Sequence, residues 1–177
     1  MKTKTFLKRL FSGGDRNTEA CSSILIVDDD AGLCDNLKDI LEVEGYETVS
    51  ASTAEQGLRL AEKMKPCLAL VDLKLPDRKG TALLAELKQL NPECTCILMT
   101  AYADVDSAVQ ALEKGAFYYL QKPIRPAELV ELVELAFETI RLKEEKREAE
   151  EALKTRNKEL EEIIERLRKI IDHNQRQ

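Results

Sequence analysis

Hydrophobic residues in this chain follow two rhythms. The short runs Ile24-Leu25-Ile26-Val27, Leu68-Ala69-Leu70-Val71, Cys96-Ile97-Leu98-Met99 and Phe117-Tyr118-Tyr119-Leu120 have the length of strands buried on both faces. Tyr46 to Ser50 is more polar and predicts an edge strand. Between the runs the period lengthens to that of helices. Leu33, Leu37, Ile40 and Leu41 share one helix face that Glu44-Gly45 closes. Thr53 caps a helix through Met64, ahead of Pro66. Leu83, Leu84, Leu87 and Leu90 mark a third helix closed by Asn91-Pro92, and Asp104 to Lys114 a fourth that ends at Gly115. Pro126 opens a fifth helix, with no stop signal for about 45 residues.

Strand and helix alternating five times predict an α/β fold: a doubly wound, five-stranded parallel sheet of order 2-1-3-4-5, with a long C-terminal helix. That order sets the first, third, fourth and fifth strands side by side. Their carboxyl ends then bring Asp28-Asp29-Asp30, Asp72, Thr100 and Lys122-Pro123 to one rim, where open α/β sheets bind ligands. A carboxylate cluster repels itself unless it protonates or holds a cation. Carboxylates that stay charged point to Mg²⁺, and an ammonium with a hydroxyl beside them points to a phosphoryl group. Taken singly, each residue has a plainer role. An Asp at a strand end is ordinarily a helix cap, which is the role expected of Asp30, and a strand-end Thr or a Lys-Pro pair is ordinarily loop material. Their joint occurrence at one rim carries the site.

Composition adds limits. Hydrophobic residues at 44% and charged residues at 34% of 177 suit one globular domain with a charged appendage. The net charge of −6 is uneven: +3 over residues 1–20, −10 over 21–140 and +1 over 141–177. An acidic globular part argues against direct nucleic-acid binding through that surface. Five cysteines without paired spacing or a secretory signal predict reduced thiols and a cytoplasmic protein. Cys94-Thr95-Cys96 is too short for a metal site, and the single histidine, His173, is far off in sequence. No apolar run approaches the roughly 18 residues that span a bilayer. Residues 1–21 are expected to form a basic, disordered tail. Phe6, Leu7, Leu10 and Phe11 would share a helix face there, so peripheral membrane contact through residues 2–11 is the alternative.

From about Ser22 to Ala136 the chain resembles a response-regulator receiver domain. The resemblance rests on Asp28-Asp29, Asp72, Thr100 and the run Gly115-Ala-Phe-Tyr-Tyr119-Leu-Gln-Lys122-Pro123. Thr100 to Val109 is similar to receivers of the NtrC-like type. It implies that Asp72 is the nucleophile accepting a phosphoryl group from the phosphohistidine of a sensor histidine kinase or phosphotransfer protein. It further implies Mg²⁺ held by Asp28, Asp29, Asp72 and the Lys74 carbonyl, with Lys122 answering the phosphoryl charge and Pro123 following a cis peptide bond. Thr100 and Tyr119 would be the switch pair, and Lys74 and Tyr102 would tune phosphoryl lifetime. Such a protein is a phosphoacceptor in signalling rather than an enzyme. Two rivals fit less well. An FMN-binding flavodoxin needs a Ser/Thr/Gly loop where Asp28-Asp29-Asp30 stand, and a haloacid-dehalogenase-like phosphatase needs an acid two residues after its nucleophile, where Lys74 stands.

These readings divide the chain into the tail, a receiver over 22–138 and a helical extension over 139–177. In the extension Leu153, Leu160 and Leu167 recur every seven residues, with Asn157, Ile164 and Ile171 four residues after each. Leucines at d with Asn, Ile and Ile at a favour a parallel two-stranded coiled coil, and Arg156 at g would face Glu161 at e of the partner. The expected output is therefore protein–protein contact in a homodimer. A phosphorelay intermediate or phosphate sink is the alternative, as is the receiver part of a larger protein with a separate output domain. The NtrC-like resemblance also implies a second dimer surface, made by the helix over 104–114, the last strand and the helix beginning at Pro126.

Overall fold

The computed structural model describes residues 22–101, 109 and 111–174, with side chains through 169. Five parallel strands form one sheet in the order β2-β1-β3-β4-β5. They are β1 (Ser23–Val27), β2 (Glu47–Ala51), β3 (Leu68–Asp72), β4 (Thr95–Thr100) and β5 (Tyr118–Gln121). The helices are α1 (Ala31–Val43), α2 (Ala54–Met64), α3 (Gly80–Leu90) and the 49-residue α4 (Pro126–Asn174). Residues 109 and 111–113 are also helical; the rest of the helix predicted over 104–114, with Tyr102, lies outside the described residues, as do residues 1–21.

The apolar runs form strands because every position in them has a core to meet. Ile24 to Val27 and Leu68 to Val71 are fully buried, and all six residues of β4 are buried. Successive side chains alternate faces. Leu25, Val27, Ala69, Val71 and Leu98 join one cluster with Ala54 and Ala61 of α2 and Leu83, Leu84 and Leu87 of α3. Ile24, Ile26, Leu68, Leu70 and Ile97 point the other way, and α1 buries Cys34, Leu37 and Leu41. β2 is the half-exposed edge that its polarity predicts.

Caps set the helix ends. The Asp30 carboxylate accepts from the Leu33 amide at the start of α1, as expected, and Thr53 accepts from the Gln56 amide at the start of α2. Gly45 takes φ 87° just past α1, a left-handed turn that suits a residue without Cβ. Lys65 takes the same region (φ 48°) to end α2, with no glycine to signal it.

The described residues divide into two compact units, with the boundary between Val130 and Glu131. In the second, Leu132, Val133 and Ala136 are buried, and almost every described residue after Ile140 is exposed. No described helix is long and apolar enough to cross a membrane. Cys34, Cys94 and Cys96 are free thiols, but Cys67 is disulfide-bonded, which departs from the all-thiol expectation.

Candidate functional site: an acidic rim bridged by one lysine

The register of the sheet sets Asp28 and Asp72 one residue beyond the β1–β3 pair Val27 and Val71. Backbone hydrogen bonds hold the rim in place: the Asp28 amide donates to the Ala51 carbonyl (3.0 Å), Leu73 to Met99 (2.8 Å) and Lys122 to Thr100 (2.7 Å). The Lys122–Pro123 peptide bond is cis. Carboxylate oxygens of Asp28, Asp29 and Asp72 all lie within 4.8 Å of one another, with Asp29 exposed and the other two buried.

Lys122 is the counter-ion. Its Nζ lies 2.6 Å from Asp28 Oδ2 and 2.9 Å from Asp72 Oδ1, bridging two side chains that are nine-tenths or more buried. Asp28 Oδ1 accepts from the Asp30 amide (3.1 Å), and Asp72 Oδ2 from the Lys74 amide (3.1 Å). Burial pushes the Asp28 carboxyl above its usual range, against the pull of the Lys122 ammonium and the Asp30 amide. Burial alone would lower Lys122, but its hydrogen bonds to Asp28 and Asp72 outweigh that and hold the ammonium above its usual value. Thr100, 2% exposed, ends β4 beside this group, and Tyr119 of β5 is half-buried against the core.

Among the described residues one ammonium, Lys122, bridges two of the three carboxylates, which leaves the cluster with more negative than positive charge when its carboxylates are ionised. All its donors are hard oxygens, and one carboxylate stands open to solvent. A divalent cation such as Mg²⁺, which takes few carboxylates and keeps several waters, fits both the charge and the donor set.

A family model for the response regulator receiver domain matches residues 24–134. The chain belongs to the receiver-domain family of two-component response regulators. It is 36% identical over 136 residues to the regulatory protein AtoC of Escherichia coli (strain K12), covering 77% of this chain and 30% of that protein. The beryllofluoride-activated NtrC4 receiver domain dimer superposes with a TM-score of 0.65 at 29% identity, covering 67% of this chain and 98% of that one. A response regulator from Burkholderia pseudomallei, solved with a phosphorylated aspartic acid, calcium ion and citrate, superposes at TM-score 0.61 and 30% identity, covering 70% of this chain and 72% of that one. The relatives are NtrC-like response regulators, and the chain spans less than a third of the length of the curated ones first matched.

Among the predicted site residues of this receiver, Asp28, Asp29, Asp72 and Lys122 converge directly, and Thr100 stands at the adjoining strand end. Lys74 is exposed, joined to Asp72 through its amide and to Lys79 by an isolated antiparallel bridge. Three further supports of the receiver rim escaped the sequence reading. Gly80 packs so tightly behind the end of β3 that an added Cβ would overlap the Asp72 carbonyl oxygen. Asp77, in the loop after Asp72, accepts from the Ala54 and Glu55 amides (2.9 and 3.0 Å) and so ties that loop to the start of α2. These two amides, with the Arg78 guanidinium nearby, hold the Asp77 carboxyl below the usual carboxylate range. The third is the Cys34 thiol, 3.5 Å from the Asp28 carbonyl oxygen and pushed up to about 11 by burial and by the Asp28 charge, which leaves it protonated. Gly80 had a local signal, its place at a helix start; the Asp77 contact spans 23 residues and had none.

Proposed function

We propose that this receiver accepts a phosphoryl group on Asp72 from the phosphohistidine of a sensor histidine kinase or phosphotransfer protein, and relays the event through dimerisation of its C-terminal helix. The observation that carries the reading is the Lys122 ammonium shared between Asp28 and Asp72 at the mouth of a three-carboxylate cluster. One Asp72 carboxylate oxygen attacks phosphorus. The phosphorus–nitrogen bond of the donor breaks, and the imidazole leaves with the electron pair. Hydrolysis of the acyl phosphate restores Asp72, so the residue is a stoichiometric acceptor rather than an enzyme's catalytic turnover site.

Asp28, Asp29, Asp72 and the Lys74 carbonyl would hold Mg²⁺, which offsets the carboxylate repulsion and the charge on the phosphoryl oxygens. Lys122 starts as the counter-ion of Asp72 and follows its charge onto the phosphoryl group, a point charge of the kind such oxygens need. The Thr100 hydroxyl then donates to a phosphoryl oxygen, and Tyr119 turns into the space Thr100 leaves. One added charge thereby biases a two-state element. Residues 22–138 form the receiver in this reading. Residues 139–177 form a parallel coiled coil in which Leu153, Leu160 and Leu167, all exposed, meet a second copy.

Incubation with acetyl phosphate and Mg²⁺, followed by intact-mass measurement, tests the acceptor. Wild type is expected to gain one phosphoryl group and Asp72→Ala none; equal incorporation in the variant would refute the assignment. Sedimentation tests the output. A monomer at micromolar concentration, with and without beryllofluoride, would remove the coiled coil.

A further inference from the structure

The exposed apolar line on α4 is longer than the heptads over 153–171, and it changes register on the way. Leu135 and Leu142 are 55% and 52% exposed, on the same helix whose Leu132, Val133 and Ala136 are buried. They stand seven residues apart, and Ala149 follows after seven more. Leu153, Leu160, Ile164 and Leu167 are 49–61% exposed and repeat the heptad, but Leu153 follows Ala149 by four residues. The core positions therefore run 135, 139, 142, 146, 149, 153, 157, 160, 164, 167 and, by sequence, 171. Spacings alternate between three and four except for two consecutive fours at 149–153–157. One extra four-residue step of this kind is a stutter, which locally unwinds a left-handed supercoil without breaking it.

We infer that α4 pairs in parallel with α4 of a second copy of this chain along one continuous seam from Leu135 to Ile171, with a stutter at 149–157 that makes residues 143–152 its weak joint. This rests on the coiled-coil output proposed above and extends it toward the receiver by about five turns of helix. Three observations favour a second copy over any other occupant. From Leu135 to Leu160 the line is at most two residues wide per heptad, the width of a coiled-coil seam and too narrow for a globular partner's face or a lipid surface, and Ile163 at g widens it only near the far end.

Its flanks complement themselves in the parallel register. Glu138 at g faces Lys143 at e of the partner in the near segment, and Arg156 faces Glu161 in the far one. Within one helix these charges already pair locally, Glu138 with Arg141 (3.3 Å) and Arg156 with Glu159 (3.7 Å), so they are solvated side chains free to exchange partners. Finally, the unfavourable features concentrate at the joint, and the polar core residues outside it are Thr139 and Asn157. Lys146 takes a core position there, Ala149 fills a core layer with one methyl, and Glu145 faces Glu150 of the partner. A seam held at both ends and loose in the middle allows the near segment to adjust its packing while the far segment keeps the dimer together.

Cysteine cross-linking of the full chain separates the registers. Leu142 is a core position with the stutter, but a flanking g position if the far heptads ran back unbroken; Lys143 is the reverse, a flanking e position that would become core. The expected result is that Leu142→Cys and Leu160→Cys form interchain disulfides at similar rates. Each should exceed Lys143→Cys and Glu162→Cys severalfold, with the parent chain as background. Lys143→Cys linking as fast as Leu142→Cys, or faster, overturns the stutter and the near seam while leaving the far coiled coil intact. Leu160→Cys linking no faster than Glu162→Cys removes the coiled-coil reading itself, and this inference with it.

Discussion

The rim of the sheet and the C-terminal helix solve opposite problems. At the rim, buried charges are gathered at a cost and then answered from within the chain: Asp28 and Asp72 share the Lys122 ammonium, and backbone amides take their remaining oxygens. Along the helix, apolar side chains are left half-exposed and no described segment of the chain covers them. In the proposed function, the first region holds its geometry from within the chain and takes a cation and a phosphoryl group. The second, in the same proposal, is completed by a second copy of the chain. Under the proposed function, the first region receives the signal and the second reports it.

If the two regions are separable in this way, each should break without the other. The largest effect belongs to Lys122. Lys122→Ala leaves Asp28 and Asp72 facing each other with no counter-ion, and phosphorylation by acetyl phosphate should slow by about 100-fold or more, the usual loss on removing one preorganised donor. Retention of the wild-type rate would mean that Lys122 is only structural. On the helix, the pair Leu160→Glu and Leu167→Glu should abolish dimers in sedimentation while leaving the phosphorylation rate within about twofold. A comparable loss of phosphorylation would show that the regions are not separable.

Smaller effects probe the supports of the rim. Gly80→Ala forces a methyl group into the Asp72 carbonyl, and an overpacked buried site of this kind should lose about 1–3 kcal/mol in denaturant unfolding. Asp77→Ala removes a second cap from α2 and should cost about 1 kcal/mol, with slower phosphorylation if the loop after Asp72 loosens.

The smallest effect is in pH. The folded-state carboxyl of Asp28 is raised above its ordinary value of 3.8, so the folded protein binds that proton more tightly than the unfolded chain. Stability assigned to Asp28 in metal-free protein should therefore fall as pH rises from 3.8 through the folded value. The unfolding free energy of wild type relative to Asp28→Asn should decline across that window, and added Mg²⁺ should reverse the decline. A difference that rises with pH would mean that the Lys122 interaction, not burial, governs Asp28.

Much of this was legible in the residues, for physical reasons that differ by element. Apolar runs long enough for a strand and ending in Asp28, Asp72, Thr100 and Lys122 specify both the sheet and its reactive rim, because a strand buried on both faces can carry polar chemistry only where it ends. Asp30 was readable as a cap because its partner, the Leu33 amide, is three residues away. Asp77 was not, since its partners come from another helix, and the Lys65 turn was not, since only Pro66 hinted at it. The Cys67 disulfide ran against a reading made from cysteine count and compartment, which say nothing about which thiols are neighbours. The heptads over 153–171 were visible, but the seam nearer the receiver emerged only when Leu135 and Leu142 proved exposed on a helix whose other face is buried.

In the proposed reaction Asp72, and no other carboxylate of the rim, carries the phosphoryl group. Borohydride reduction of the acetyl-phosphate-treated protein converts an acyl-phosphorylated aspartate to homoserine, which peptide mass spectrometry locates. Homoserine is expected at position 72 alone, dependent on Mg²⁺ and absent when the ion is chelated. Homoserine at position 28 or 29, or a yield at 72 indifferent to Mg²⁺, would contradict it.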